Sequence, residues 1–327
     1  MKRPDGEWGG DQMRLVFMGT PKFAVPSLQA LIAGGWDIRA VVTQPDRPRG
    51  RGQQVRYSPV KEIALEAGLP ILQPERVSNP DFASELRQIA PDVIVVVAFG
   101  QLIPPTIVHM PPHGCINVHA SLLPRYRGAS PIQKAIIDGC QETGITTMLI
   151  DEGCDTGCIL LQDRMEIEPC DTAGSLEGKL ALVGANLLIK TLSQLQRGEL
   201  EPKPQDEQDA CYAHKLKKET GEIDWAMAGS DLVNLVRGVT PWPGAFTCHR
   251  GQLLKVWEMT YVGAKTAEVP GAIVDVTDDG LVVAAGGELV SLNVVQPPNR
   301  PRMAGRDYAN GYRVELGEVL GGPFDGV

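Results

Sequence analysis

Val93-Ile94-Val95-Val96-Val97-Ala98-Phe99 is the longest apolar run in the chain. Its length suits a strand and falls well short of the roughly 18 to 20 apolar residues that a membrane-spanning helix requires. A strand with no polar alternation is buried on both faces, and such strands belong to parallel sheets. Upstream, Arg14-Leu15-Val16-Phe17-Met18-Gly19 reads as a strand ending in a Gly turn. Thr20-Pro21 then supplies a cap residue and a proline at the first helical position, opening a helix through Ile32 that Gly34-Gly35 stops. Ile38 to Thr43 is the next strand, Val60 to Ala67 a short helix and Gly144 to Asp151 a further strand. Ser175 to Arg197 reads as a long helix, with apolar residues at 176, 180, 183, 187, 188 and 192. Strands separated by helices imply βαβ units and an open, mostly parallel sheet of the α/β class. Ligands of such sheets sit beyond the carboxyl ends of strands, where Gly100 to Ile103 and Asp151 to Asp155 fall. Gly19-Thr20-Pro21-Lys22-Phe23-Ala24 lacks the second and third glycines of a dinucleotide-binding fingerprint, so no such site is expected there.

At 327 residues, two domains are the default expectation. The composition changes near Gly198. Glu199 to Asp209 is polar, carries Pro202 and Pro204, and reads as a semi-extended linker. Beyond it come a helix, Ala228 to Val239, and short strands at Leu253 to Met259, Gly271 to Val276, Leu281 to Ala285 and Leu289 to Val295. That spacing suggests a small β-barrel. The expected division is an extension over 1–12, a catalytic domain over 13–198, a linker over 199–216 and a C-terminal domain over 217–327. Met13 would make a natural start, residues 1–12 have no apolar core of the signal-peptide kind, and the end from Gly321 to Val327 is loose.

No apolar run is long enough to span a bilayer, so a cytoplasmic protein with no membrane partner is expected. Seven cysteines cannot all pair and show no regular framework. Cys154 and Cys158 are four apart, yet no His or second Cys pair completes a zinc site, and no metal is expected. Cys115 has apolar neighbours and reads as a buried small hydrophobe. The net charge of −9 argues against a protein coated with nucleic acid, while leaving room for a local basic patch. Such a patch exists: Asp46 to Arg56 holds four arginines, at 47, 49, 51 and 56, against one aspartate, with glycines that permit disorder. Its plain reading is a solvated loop. Beside a ligand-binding mouth its arginines could instead contact phosphates and stack on unpaired bases. A second basic set comprises Lys215, Lys217, Lys218, Arg300, Arg302, Arg306 and Arg313.

Asn117 and His119 lie in Cys115-Ile116-Asn117-Val118-His119-Ala120-Ser121-Leu122-Leu123-Pro124, and Asp155 in Asp151-Glu152-Gly153-Cys154-Asp155-Thr156-Gly157. Singly, each has an ordinary structural reading as a turn or core residue. Together, an amide, an imidazole and a carboxylate suit acyl transfer to an amine. The amide donates to a developing oxyanion, the imidazole moves or stabilises a proton, and the carboxylate orients the imidazole. No hydroxyl or thiol nucleophile stands out beside them, which favours direct transfer over an acyl-enzyme.

The paired motifs resemble the signature of the formyltransferases that use 10-formyltetrahydrofolate. From Met13 onward the chain resembles the methionyl-tRNA formyltransferase family, with support from Thr43 to Pro48, from Ser121 to Gln133 and from Thr240-Pro241-Trp242-Pro243-Gly244. The resemblance implies a Rossmann-like sheet domain followed by a linker and an OB-like barrel that helps hold tRNA. It implies transfer of the formyl group of 10-formyltetrahydrofolate to the α-amine of methionine on initiator tRNA. Asn117 and His119 would polarise the formyl oxygen, and Asp155 would orient His119 or a proton-relaying water. Whether His119 begins protonated stays open. The pterin would lie against Phe99, Gly100, Gln101, Leu102 and Ile103 and the 151–155 loop with Asp151, beside Ser121, Leu122, Leu123 and Pro124. The tRNA would meet Arg47, Arg49 and Arg51 at its acceptor end, and Arg300 and Arg302 in the second domain. A monomer is expected. The nearest rival is a superfamily enzyme formylating a glycinamide nucleotide or an amino sugar, or hydrolysing the folate; the arginine-rich loop and the late β-domain would be wasteful there. A non-enzymatic folate- or RNA-binding module would leave the three site residues unexplained.

Overall fold

The structure is a computed structural model that describes residues 12–49 and 54–324. Of the expected extension, residues 1–11 lie outside the described residues, as do Arg51 of the basic loop and 325–327 of the C-terminal end. Strands β1 (Arg14–Gly19), β2 (Asp37–Val42), β3 (Ile71–Leu72), β4 (Val93–Val97), β5 (Cys115–His119), β6 (Glu142–Leu149) and β7 (Ile159–Glu166) form one sheet in the order β7-β6-β5-β4-β1-β2-β3. The apolar run quoted first is β4, and all five of its side chains are buried. Each such side chain contributes roughly 1.5–3 kcal/mol by leaving water. β4 runs parallel to β1 on one side and β5 on the other, and β1–β2 and β2–β3 are parallel too. β6 is antiparallel to β5, so the sheet is parallel in its centre and mixed at one side.

The first helix begins later than expected. Pro21 stays extended and heads a short 3-10 turn, Lys22–Ala24, before α1 (Val25–Ala33). A helix opening at Pro21 would carry Pro26 in its interior, where the ring lacks an N–H and collides with the preceding turn. Starting at Val25 puts that proline in the first turn. Thr20 therefore caps nothing; its hydroxyl donates to the Phe99 carbonyl at 3.0 Å and ties the end of β1 to the end of β4. The next helices follow ordinary rules. α2 (Pro59–Glu66) is capped by the Ser58 hydroxyl, which accepts from the Lys61 amide at 3.1 Å, and α3 (Pro80–Ile89) by Asn79. α4 (Pro105–Val108) is a single turn, α5 spans Pro131–Ile137, and the long α6 spans Ala173–Arg197. Within α6, Leu176, Leu180, Leu187, Leu188 and Leu192 are buried, the stripe that the sequence spacing announced. A Cβ on Gly184 would come within 3.1 Å of Val118, so glycine lets α6 lie close against β5.

Neighbouring segments divide the chain into two compact units, each assembled from discontinuous pieces. One holds the described residues up to Arg127 with Gly144–Arg164 and Gly178–Cys211; the other holds Gly128–Thr143, Met165–Glu177 and the described residues from Tyr212. A single contiguous cut near residue 198 was expected. The segment read as a linker is engaged as well: Ile159 and Lys203 exchange backbone hydrogen bonds at 2.8 Å.

In the second unit, α7 (Gly229–Gly238) precedes β8 (Ala245–His249), β9 (Gln252–Lys265), β10 (Ile273–Val276), β11 (Leu281–Ala285), β12 (Glu288–Gln296) and α8 (Gly305–Tyr312). The expected small barrel takes the form of an antiparallel sheet in the order β8-β9-β12-β11-β10, with Met303–Ala304 also pairing to β12. β9–β12 contains register shifts, which bend and twist a ladder. Its core joins Leu232, Val236, Leu254, Val256, Leu281, Val283, Val290, Leu292 and Val295. Among the described residues no helix is long and apolar enough to cross a membrane.

β8 and α8 are joined by a polar network that the sequence does not announce. The carboxylate of Glu318 accepts from Arg250 at 2.5 and 2.7 Å and from His249 Nε2 at 3.0 Å, while the Tyr308 hydroxyl donates to His249 Nδ1 at 2.6 Å. The Arg250 guanidinium, helped by the Glu315 amide and His249, outweighs burial and pulls the Glu318 carboxyl from the usual 4.5 to about 2. A depressed folded pKa contributes stability above the unfolded value and loses it as pH falls toward the folded one. Glu318→Gln should therefore lower the thermal midpoint at neutral pH. The gap from the parent should narrow as pH drops from about 4.5 toward 2, and a gap independent of pH would contradict the assignment.

Candidate active site

Alternation along β5 decides the first half of the site. Successive residues of a strand face opposite sides, so Asn117 and His119 share a face while Ile116 and Val118 are buried on the other. The loop between β6 and β7 supplies Asp155. The Asn117 amide donates to Asp155 Oδ1 at 3.5 Å, and His119 Nδ1 lies 3.6 Å from Asp155 Oδ2. The three residues named from sequence thus meet at one point. Both spacings are looser than the about 2.7–2.9 Å of a charge-assisted bond, as is common before a substrate closes a site. His119 is buried, and the Asp155 side chain is 18% exposed.

His119 Nε2 lies 3.0 Å from the Tyr126 carbonyl. A carbonyl only accepts, so Nε2 carries a hydrogen and Nδ1 faces the carboxylate. A neutral ring satisfies one of these acceptors; an imidazolium satisfies both. The carbonyl is held in place by its own turn. The Ser121 hydroxyl donates to the Arg125 carbonyl at 2.6 Å, and the Arg127 amide donates to the Cys211 carbonyl at 2.9 Å. Thr146 of β6 donates to the Ser121 carbonyl at 2.7 Å and accepts from the Leu123 amide at 3.1 Å. Gln162 of β7 donates to the Leu123 carbonyl at 2.9 Å.

The loop carrying Asp155 is equally constrained. Asp155 has φ 55°, a left-handed conformation that a short polar side chain tolerates. Asp151 accepts from the Thr156 hydroxyl at 2.7 Å and from the Gly153 amide at 3.0 Å. A Cβ on Gly157 would sit 1.8 Å from the Leu149 carbonyl, so only glycine lets the loop close onto β6. The Gln205 side-chain amide donates to the carbonyls of both Asp155 and Gly157 at 2.8 Å. Gln205 is in turn held by Arg127, a fully buried side chain that also pairs with Glu207 at 2.8 Å. Hydrogen bonding to Arg127 keeps the Glu207 carboxyl below its usual range. Reading the sequence missed Gln205 and Glu207, which stood in a polar stretch resembling a linker. No local pattern marks them, because Arg127 precedes them by 78 and 80 positions.

The expected folate contacts divide by exposure. Leu102 is 89% exposed, Ile103, Leu122 and Pro124 are half-buried, and Gly100 is exposed with φ 90°. Phe99 lies in the core, and its carbonyl already accepts from Thr20 and Gln44. Ser121 and Leu123 are buried in the turn bonds just described. The Gln101 side chain accepts from the Val77 amide at 3.0 Å and donates to the Glu75 carbonyl at 3.3 Å, fixing the loop after β4. The basic loop contains ordered structure: Arg47–Arg49 pairs antiparallel with Gln54–Arg56. Its base is anchored where Asp46 meets Lys61 and Gln73. Burial alone would raise the Asp46 carboxyl, but these two bonds hold it below the usual range. Arg47 is exposed, 4.0 Å from Glu75. In the second unit Arg300 and Arg302 are exposed, and the Arg302 guanidinium stacks 3.5 Å over Trp257. Among the described residues no group of three or more His, Cys, Asp or Glu is placed to hold a metal ion.

Comparison with known proteins names this arrangement. A family model described as formyl transferase matches residues 13–192, and one described as formyl transferase, C-terminal domain, matches 215–313. The methionyl-tRNA formyltransferase of Alkaliphilus oremlandii is 45% identical over 94% of this chain and 100% of its own length. That of Solibacter usitatus is 49% identical over 94% and 99%. The chain belongs to the methionyl-tRNA formyltransferase family. It is a formyl-group transferase. Among solved structures, the N-formyltransferase of Helicobacter canadensis in complex with folinic acid and dTDP-3-aminofucose shares the fold. Its TM-score is 0.66 at 19% identity, covering 87% of this chain and 99% of that one. HypX of Aquifex aeolicus with tetrahydrofolic acid aligns at TM-score 0.61 and 15% identity, over 94% of this chain and 49% of that one.

Cys115, directly before the site strand, takes no part in this geometry. Burial pushes its thiol up to about 12, and its sulfur is directed at the Ile107 and Val108 carbonyls. Nucleophilic cysteines are thiolates in polar, accessible surroundings. Cys115→Ala should keep formyl transfer within a few-fold of the parent, and iodoacetamide should leave Cys115 unlabelled in the native protein. Inactivation that parallels Cys115 labelling would contradict this.

Proposed function

We propose that the chain transfers the formyl group of 10-formyltetrahydrofolate to the α-amine of methionine esterified to initiator tRNA. The observation that carries the chemistry is the meeting of Asn117, His119 and Asp155 on one face. The neutral amine attacks the formyl carbon, and the C–N10 bond then breaks, giving formylmethionyl-tRNA and tetrahydrofolate. The Asn117 amide is the donor for the oxyanion. With Nε2 committed to the Tyr126 carbonyl, Nδ1 of His119 is the nitrogen that faces the reacting atoms beside Asp155. Nδ1 accepts the proton shed by the attacking amine, the carboxylate steadies the imidazolium so formed, and the same proton then passes to the departing N10. Exposed Leu102 and half-buried Ile103, Leu122 and Pro124 are the apolar surfaces for the pterin, with the 151–155 loop beside them. No metal is required, because the donor carries its formyl group already activated. An acceptor of this kind implies a cytoplasmic enzyme, and one chain holds all three site residues, consistent with a monomer.

Incubation with 10-formyltetrahydrofolate and methionyl-tRNA should give formylmethionine, and an amino-sugar nucleotide offered as acceptor should not be formylated. His119→Ala should reduce transfer by about 10²–10⁴-fold with folate binding nearly intact, and Asn117→Ala by roughly 10²–10³-fold. Rates within a few-fold of the parent would remove either residue from the mechanism.

For the acceptor, support comes from the basic hairpin at Arg47 and the exposed Arg300 and Arg302 in a chain of net charge −9. Replacing Arg47, Arg49 and Arg51 together with Ala should raise KM for methionyl-tRNA and spare KM for the folate. The variant's tRNA affinity should also fall less steeply with salt, because fewer counterions are released. An unchanged affinity and salt slope would make the hairpin a bystander.

A further inference from the structure

We infer that Gln205, backed by Arg127 and Glu207, is a positioning residue for Asp155, holding the loop that carries the carboxylate from a segment remote in sequence. The inference rests on the proposed role of Asp155 and extends it to residues that touch no reacting atom. The Gln205 side-chain amide has two donor hydrogens and one oxygen, and all are spoken for. Its nitrogen donates to the carbonyls of Asp155 and Gly157, both at 2.8 Å, so it clamps the backbone on either side of Thr156. Its oxygen accepts from Arg127 Nε at 3.0 Å and Nη2 at 2.9 Å, which fixes which end of the amide faces the loop. Arg127 has no exposed surface, and its remaining edge is paired with Glu207 at 2.8 and 2.9 Å.

The clamp acts where the loop has most reason to move. Asp155 sits at φ 55°, a conformation that costs free energy unless its surroundings impose it. Its side chain reaches Asn117 and His119 only across 3.5 and 3.6 Å, so a small rotation of the loop would separate the three. Loop bonds from Asp151 secure the near side, and Gln205 secures the far side. Arg127 also belongs to the turn whose Tyr126 carbonyl meets His119 Nε2. One buried guanidinium thereby references both partners of the imidazole to the same point.

The test is a double-mutant cycle on kcat with methionyl-tRNA and 10-formyltetrahydrofolate. Gln205→Glu keeps size and the acceptor for Arg127 but, as a carboxylate, cannot donate to the two carbonyls. Asp155→Asn keeps shape and tolerates the left-handed backbone. Gln205→Glu alone should lower kcat by about 10²-fold, the scale of a misplacement near 1 Å, with KM for methionyl-tRNA within a few-fold. In the Asp155→Asn background the same change should cost less than about threefold, because a positioning residue has nothing left to position. A general loss of folding would instead cost equally in both backgrounds, and that result overturns the inference. A parent-like Gln205→Glu beside an impaired Asp155→Asn also overturns it while sparing the role of Asp155. A parent-like Asp155→Asn removes that role, and the clamp with it.

Discussion

A guanidinium without solvent contact has to be paired, and Arg127 sets that requirement at the centre of the site. Its side chain cannot shed its charge, so the fold must bring an acceptor to each of its edges. Gln205 and Glu207 meet the need, and to do so the chain must return after the long helix α6 to the loop beyond β6. The stretch 199–211 is therefore part of the first compact unit and not a tether. On that return Gln205 reaches the Asp155 and Gly157 carbonyls, and the Cys211 carbonyl accepts from the Arg127 amide.

The two buried histidines show how acceptor geometry sorts otherwise similar rings. His249 donates through Nε2 to Glu318 and accepts at Nδ1 from the Tyr308 hydroxyl, so a neutral ring satisfies every partner. His119 has a carbonyl at Nε2 and a carboxylate near Nδ1, so both of its ring nitrogens face acceptors. The first is a structural tie between β8 and α8. The second lies between a carbonyl and the Asp155 carboxylate at the point where Asn117 also reaches. Burial alone would not have separated them, because both are almost fully enclosed.

The β5 strand explains why the site can be rigid. Ile116 and Val118 anchor it in the core, and β4 flanks it in parallel register. On the opposite side β6 supplies Thr146, whose hydroxyl holds the turn after His119. Each site residue hangs on a strand end or on a loop bonded to one. Arg47 and Arg56 of the basic hairpin are exposed, as is Arg302 where it stacks on the half-buried Trp257.

What the sequence determined by itself was what depends on neighbours along the chain. The uninterrupted apolar β4, the leucine stripe of α6 and the strands of the second unit were all legible, because burial imposes a period on nearby residues. Asn117, His119 and Asp155 were legible because their motifs are short and carry a resemblance. The start of α1 was missed by a few residues because the penalty for an interior Pro26 outweighed the cap signal at Thr20-Pro21. α8 and β8 were missed because Gly305–Tyr312 has weak helix formers and Ala245–His249 is short. Tertiary structure alone decided that β6 runs antiparallel, that the units are discontinuous, and that Gln205 grips Asp155. Those outcomes depend on pairing hydrogen-bond donors and a buried charge across dozens of residues, and no local pattern encodes which distant acceptor will answer.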